Sequence, residues 1–339
     1  MENLRTPCVR ISMTPLLAIL IFSCLFGCSS CEDSREKDAL RIGLIPWAPF
    51  EYFFLAEQQG YFKELGVNVQ LLEYQTLQDV RRAFERGHLD GIGCTLIEVA
   101  QVYVDSRRNL QVVYFTDDSM GSDVILANPP IHSVPDLKGR RVGVKVASLG
   151  IFVLAKALEQ HNMSLSDVEI IPFEESEIVS KLKRHLVDAV VAFPPFSLEI
   201  ERQSKVQQIF STKELPGLLQ SGLAFESSMI ANRSEDIARV ILAYEKAKQY
   251  AEQNPSAFDF MARREQIDAQ ALHQVFQSIH LIGLEEQDHW LGNDERMQTI
   301  LEEIVQVLKA ANQVPESADA NITGWNAKPT NLALKMRRS

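Results

Sequence analysis

Short apolar runs alternate with amphipathic stretches between residues 40 and 193, and the alternation occurs twice. Residues 41–45 read as a buried strand. Residues 52–65 read as an apolar-rich helix closed by Gly66, because glycine adopts the left-handed C-cap conformation at little cost. Residues 67–74 alternate as a strand does. Thr76-Leu77-Gln78-Asp79 resembles a helix-opening capping box, Gly87 closes that helix, and residues 89–93 form a short apolar strand.

The same order returns between residues 140 and 193. Arg41-Ile42-Gly43-Leu44 recurs as Arg141-Val142-Gly143-Val144, one hundred residues later. Asn68-Val69-Gln70-Leu71 is echoed by Asp167-Val168-Glu169-Ile170, and Leu89-Asp90-Gly91-Ile92 by Val187-Asp188-Ala189-Val190. Three matches in one order at a nearly constant offset mark an internal repeat. Strands alternating with helices make each copy an α/β lobe with a parallel-rich sheet flanked by helices. After the second copy the pattern changes. A strand near 222–231 returns to the first lobe, Ser234 opens a long helix to about 252, and helices follow near 268–281 and 295–310. The crossings between lobes are expected at 128–133, where Pro129-Pro130 interrupts the chain, and at 222–227. That gives lobe 1 as 40–128 plus 228–325, lobe 2 as 129–227, and 326–339 as a C-terminal tail.

The N-terminal segment belongs to neither lobe. Arg5 and Arg10 precede an apolar run over 15–26, too short to span a bilayer comfortably and shaped like a secretory signal. Leu25-Phe26-Gly27-Cys28 resembles a bacterial lipobox, which implies a signal peptide over 1–27, lipidation of Cys28 and a polar tether over 28–39. Phe26 departs from that pattern, and a plain signal peptide or an uncleaved anchor are the alternatives. Of five cysteines, only Cys31 and Cys94 then remain, too few for a disulfide framework.

Composition narrows the function. The 339 residues are 46% hydrophobic and 23% charged, an ordinary globular balance for about two domains. The formal net charge of -11 gives no basic footprint for nucleic acid. No GxxxxGK[ST], GxSxG or HExxH motif occurs, and the seven histidines show no metal-ligand spacing, so no catalytic residue, metal or cofactor is assigned.

Ligands of open α/β sheets bind beyond the carboxyl ends of the strands. The loops there carry Trp47 and Phe50, Thr95, Ser148, and Phe193. Trp47, Phe50 and Phe193, among prolines, suit stiff apolar walls, and Trp47 and Phe50 read alternatively as plain core aromatics. Ser148 and Thr95 stand at helix starts, where they serve either as N-caps or as partners of an anionic or carbonyl oxygen. Asp117 to Asp123 reads either as a polar stretch of the site or as a surface turn.

With these residues in place, the chain resembles the solute-binding proteins of ABC importers for nitrate, sulfonates, taurine and the thiamine pyrimidine precursor. The matching stretches are Arg41-Ile42-Gly43 with Pro46-Trp47, Ala56-Glu57-Gln58-Gln59-Gly60-Tyr61-Phe62-Lys63-Glu64-Leu65-Gly66, Asp117-x-Ser119-x-Gly121-x-Asp123 and Asp136-Leu137-Lys138-Gly139. The resemblance implies a two-lobe, type II periplasmic-binding-protein fold with a hinge and a central cleft. It implies Trp47, Thr95, Ser119 and Ser148 as ligand neighbours. It also implies a bacterial lipoprotein, periplasmic or at the cell surface, that is a monomer and passes a small polar or anionic molecule to ABC permease and ATPase subunits. A binding lobe for a membrane sensor and an enzyme like the pyrimidine-precursor synthases are the alternatives. Where the family often has Trp-Glu-Pro, this chain has Phe193-Pro194-Pro195, which disfavours a ligand needing an acidic partner there.

Overall fold

The computed structural model describes residues 38–146, 148–173 and 177–338; the lipidation site Cys28 lies outside them. Eleven strands among the described residues form two sheets. They are β1 (Leu40–Leu44), β2 (Val69–Glu73), β3 (Gly91–Thr95), β4 (Leu110–Ser119), β5 (Val124–Ala127), β6 (Arg141–Val144), β7 (Glu169–Pro172), β8 (Ala189–Ala192), β9 (Gln207–Ser211), β10 (Gln220–Glu226) and β11 (Ile279–Leu281). The first sheet runs β11-β4-β10-β3-β1-β2 and the second β7-β6-β8-β5-β9.

Each repeat supplies one parallel trio, β2-β1-β3 and β7-β6-β8. The remaining pairings are antiparallel, so both sheets are mixed rather than parallel throughout. The reason is geometric: a strand that arrives from the other sheet enters with the opposite sense.

One ion pair shows that the repeat is physical. Arg41 donates from Nε and Nη2 to Asp90 at 3.0 and 2.8 Å, and its backbone N–H donates to the same carboxylate. Arg141 makes the identical fork on Asp188, at 3.1 and 2.8 Å, with its own backbone N–H added. Each fork ties the first strand of a trio to the turn before the third.

The first helical stretch breaks into Glu51–Gln58 and Tyr61–Glu64, because Gly60 takes φ 74° between them. Thr76 accepts from the Asp79 backbone at 3.1 Å, as the capping pattern predicts. Gly93 matters for the site. A Cβ there would lie 2.7 Å from Phe50, so the glycine lets that ring press onto the strand that ends in Thr95.

Three expectations change. The chain passes between sheets at residues 120–123 and 212–219, not at 128–133 and 222–227. β5 therefore belongs with the second sheet and β10 with the first. Pro129-Pro130 marks only the end of β5, because a proline pair stops a strand without saying which sheet the strand joined. The long helix spans Ser227–Gln253 with a break at Arg233, so Ser234 follows a kink; its hydroxyl donates to the Ile230 carbonyl. Residues expected as a tail form the helix Lys328–Arg338, which buries Pro329, Thr330 and Ala333, and Thr330 Oγ1 donates to the Val113 carbonyl of β4.

Asp90→Ala and Asp188→Ala should each cost about 1–2 kcal/mol at pH 7, since each leaves a backbone donor and a guanidinium unpaired. Burial would raise the Asp90 carboxyl, but the Arg41 hydrogen bonds and charge outweigh it; at Asp188 the Arg141 bonds lead. Both sit below the usual carboxylate range, so their contribution is full above the unfolded value and lost as pH falls through the folded one. Chemical denaturation of both single mutants and the double should give additive costs that vanish in acid.

Candidate functional site

A cavity of about 810 Å³ opens between the carboxyl ends of the two sheets, within the usual size range for small-molecule sites. All six residues expected there from the sequence line it: Trp47, Phe50, Thr95, Ser119, Ser148 and Phe193. Their roles divide.

Trp47 stands just before the short 3-10 turn Ala48–Phe50, which Pro49 helps to open. Its indole N–H donates to Asp117 Oδ1 at 3.2 Å. Its ring meets Phe193 edge-on, with centroids 6.2 Å apart, and Phe193 in turn meets Phe196 at 5.6 Å. The aromatic wall therefore runs from the first-sheet side onto the second. Phe50 is more core than wall, being 1% exposed.

Thr95 and Ser148 are turned away from an anion. Thr95 caps the helix Leu96–Ser106: its hydroxyl accepts from the Ile97 N–H at 3.2 Å and donates to Glu98 Oε2 at 2.7 Å, and its backbone N–H also donates to Glu98, at 2.9 Å. Ser148 precedes the helix Leu149–Glu159 without capping it through its side chain. Its hydroxyl donates at 3.3 Å to the other Glu98 oxygen, Oε1. One buried carboxylate thus takes hydroxyl protons from both sides of the cleft. Burial raises the Glu98 carboxyl, and the Thr95 hydrogen bonds oppose the rise.

Ser119 has a structural task. Its Oγ lies 2.6 Å from both Ser122 Oγ and Thr212 Oγ1 and donates to Asp123 Oδ2 at 2.7 Å. The stretch from Asp117 to Asp123 is consequently no surface turn. It is the end of β4 together with the first crossing, and within it Asp117, Asp118, Ser119, Ser122 and Asp123 are buried.

Sequence reasoning missed Glu98, Gln220 and Glu265, and left Asp117 unassigned. Glu98 was legible as the fourth residue of the pattern Thr95-x-x-Glu98, a capping box. Gln220 and Glu265 carry no local signal, because only the tertiary fold brings them to the cavity. Asp117 accepts from Thr116 Oγ1 at 2.8 Å and from Trp47, both at Oδ1. Burial pushes its carboxyl up to about 7, against those two bonds and with Asp123 and Asp118 adding to the rise. Where Phe193-Pro194-Pro195 carries no carboxylate, the first sheet brings that of Asp117 to the cavity.

Cys94 lines the cavity as a free thiol, fully buried. Burial and the neighbouring Glu98 push it well above its ordinary value, the reverse of what a nucleophile needs. No histidine lines the cavity among the described residues.

Two sheets, two crossings and a cleft between strand ends define a two-lobed fold of the periplasmic-binding-protein class. The family model described as "NMT1/THI5 like" matches residues 47–258, and the chain belongs to that family. A protein of Brucella abortus (strain 2308) named as a binding protein is 26% identical over 155 residues, 43% of this chain and 47% of that protein. The chain thus spans about half the length of the curated relatives it matches. The periplasmic aliphatic sulphonate-binding protein SsuA of Escherichia coli superposes with TM-score 0.71 at 16% identity, over 85% of this chain and 92% of that one. The desulfurization enzyme DSZB superposes with TM-score 0.63 at 16% identity, over 89% and 100%. At such identities these structures share the fold.

Asp117→Asn keeps both acceptor contacts at Oδ1 and removes the charge. A carboxyl raised to about 7 favours folding below its unfolded value near 4, and that benefit is lost as pH rises to about 7. Denaturation curves between pH 4 and 8 should show the wild type losing stability relative to Asp117→Asn, by about 1–4 kcal/mol in total. Parallel pH profiles would contradict the buried, uncompensated carboxyl.

Proposed function

We propose that the chain is an extracytoplasmic solute-binding lipoprotein that carries a small polar organic molecule to an ABC importer by closing its two lobes. The observation that carries this reading is the cavity wall shared between the sheets, where Trp47 from one side touches Phe193 from the other. A solute held there contacts both lobes and can favour the closed form over the open one, which a solute touching one lobe cannot do. Two adjacent crossings at 120–123 and 212–219 suit a hinge, since a few residues there absorb the backbone change.

Family membership supports a binding role, and sulphonate is the ligand class in the name of SsuA. The enzyme reading, kept in view by DSZB, is opposed by the raised Cys94 thiol. In this reading the permease and ATPase subunits recognise the closed form, and Cys28 holds the protein at the membrane. Among the described residues no helix is long and apolar enough to cross one.

A thermal-shift screen of sulfonates, nitrate, pyrimidines, amines and small carboxylates should give at least one hit, and small-angle scattering with that hit should show a smaller radius of gyration. Trp47→Ala should weaken its binding by about 1–3 kcal/mol, the loss expected for a large buried aromatic contact. Scattering that is identical with and without a saturating hit would overturn closure. Cys28→Ser should release the protein from the membrane fraction, and unchanged fractionation would overturn the anchor.

A further inference from the structure

The polar groups around the cavity are arranged for a donor. Thr95 and Ser148 give their hydroxyl protons to Glu98, so toward a solute these oxygens can only accept. Gln220 donates through Nε2 to Asp118 at 2.7 Å, which fixes its amide and leaves Oε1 buried with no partner. Glu265, 5% exposed, likewise leaves Oε1 buried and unpartnered, and burial, with Glu51 and Glu73 beside it, pushes its carboxyl well above the usual range. Asp117 accepts from Trp47 and from Thr116 at Oδ1. Buried acceptors without donors cost free energy, and a bound donor is what relieves them.

Among the described residues, two of the three cations at the wall are engaged. Arg264 is held by Glu51, at 2.5 Å, and by Glu73. Arg202 is exposed at the end of its helix, and Lys145 is engaged in a contact of its own. The positive end of the Leu149–Glu159 helix, which would draw an anion, already has the Glu98 carboxylate beside it through Ser148. The apolar part of the wall is aromatic, with Trp47, Phe193 and Phe196 in edge contact, and such faces attract organic cations.

We infer that the solute is an organic cation, an ammonium or amidinium on a flat apolar body, with its charged end toward Asp117 and its body against Trp47 and Phe193. This narrows the solute-binding reading and rests on it. The groups facing Asp117 agree with the assignment. They are Trp47, Tyr244, Ser221 and Leu281 on neighbouring elements, with Asp118 and Asp123 along its own segment, and none is a cation.

Three probes of one shape separate the charges: benzylammonium, benzyl alcohol and benzenesulfonate, titrated calorimetrically into the purified full-length protein at pH 6 and pH 8. Benzylammonium should bind at least tenfold more tightly than the alcohol, and benzenesulfonate should be the weakest of the three. With Asp117 titrating at about 7, the ionised fraction rises from about one eleventh to ten elevenths between these pH values, so benzylammonium affinity should rise about tenfold. Asp117→Asn should abolish that rise and weaken benzylammonium without affecting the alcohol. Tighter binding of benzenesulfonate, or benzylammonium affinity that falls with pH, would overturn the cation assignment and leave solute binding standing. Absence of binding by all three probes, together with no hit in the wider screen, would overturn both.

Discussion

The structure depends on how the chain crosses twice between its sheets without leaving polar groups stranded. Both crossings lie side by side, and one buried cluster joins them. The Ser119 hydroxyl meets Thr212 and Asp123, the Gly121 N–H donates to Thr212 Oγ1 at 2.9 Å, and the Thr212 N–H donates to the Asp123 carbonyl at 3.0 Å. Asp118 extends the tie by accepting from the Gly217 backbone and the Gln220 amide. Without such partners each buried donor or acceptor would cost about 1–3 kcal/mol. The cluster also holds the floor of the cavity, because β4 carries Asp117 on the residue before Asp118. Hinge and site are thus built from one strand end.

The electrostatics of the site follow from helix capping as much as from the lobes. Glu98 is at the third position of its helix because a capping box needs an acceptor there for the Thr95 N–H. Once fixed, the carboxylate takes the Thr95 hydroxyl proton and reaches Ser148 on the facing lobe. The two hydroxyls that look in sequence like an anion cradle therefore become acceptors. A local helix-start rule has set the sign of a binding site, an outcome that residue types alone do not reveal.

The doubled architecture was legible because each repeat keeps a physical device, the Arg41–Asp90 and Arg141–Asp188 forks, that must be encoded in both copies. Aromatic walls were legible for a similar reason, since Trp47 and Phe193 sit in proline-rich loops at strand ends. The crossings were misplaced by several residues because β5 and β10 are short apolar runs that suit either sheet, and only antiparallel pairing with β8 or β3 decides. The last helix was missed because its residues are mostly polar; burial against β4 and the long helix stabilises it more than its own sequence does. Gln220 and Glu265 were invisible because a buried acceptor without a donor is a property of the folded neighbourhood, and nothing local encodes it.

Several contacts already join the two lobes: the Trp47–Phe193 edge contact, the Ser148–Glu98 hydrogen bond, and an ion pair at 3.1 Å between Lys156 and Glu303 on the helix Asp294–Ala310. Each is small on the usual scales. An edge-on aromatic pair contributes about 0.5–1.5 kcal/mol and a partly exposed ion pair about 0.2–1 kcal/mol. Their sum is comparable to the few kcal/mol that separate the conformers of a two-state protein. A shift from about 1:99 to about 99:1 in favour of the closed form requires a preference of about 5.5 kcal/mol, and contacts that already join the lobes reduce the shift a solute has to supply. The unpartnered Gln220 and Glu265 oxygens both lie on the first lobe, so a donor that meets them adds affinity without favouring closure, and the preference for a closed form has to come from contacts on both lobes, Trp47 on one and Phe193 on the other.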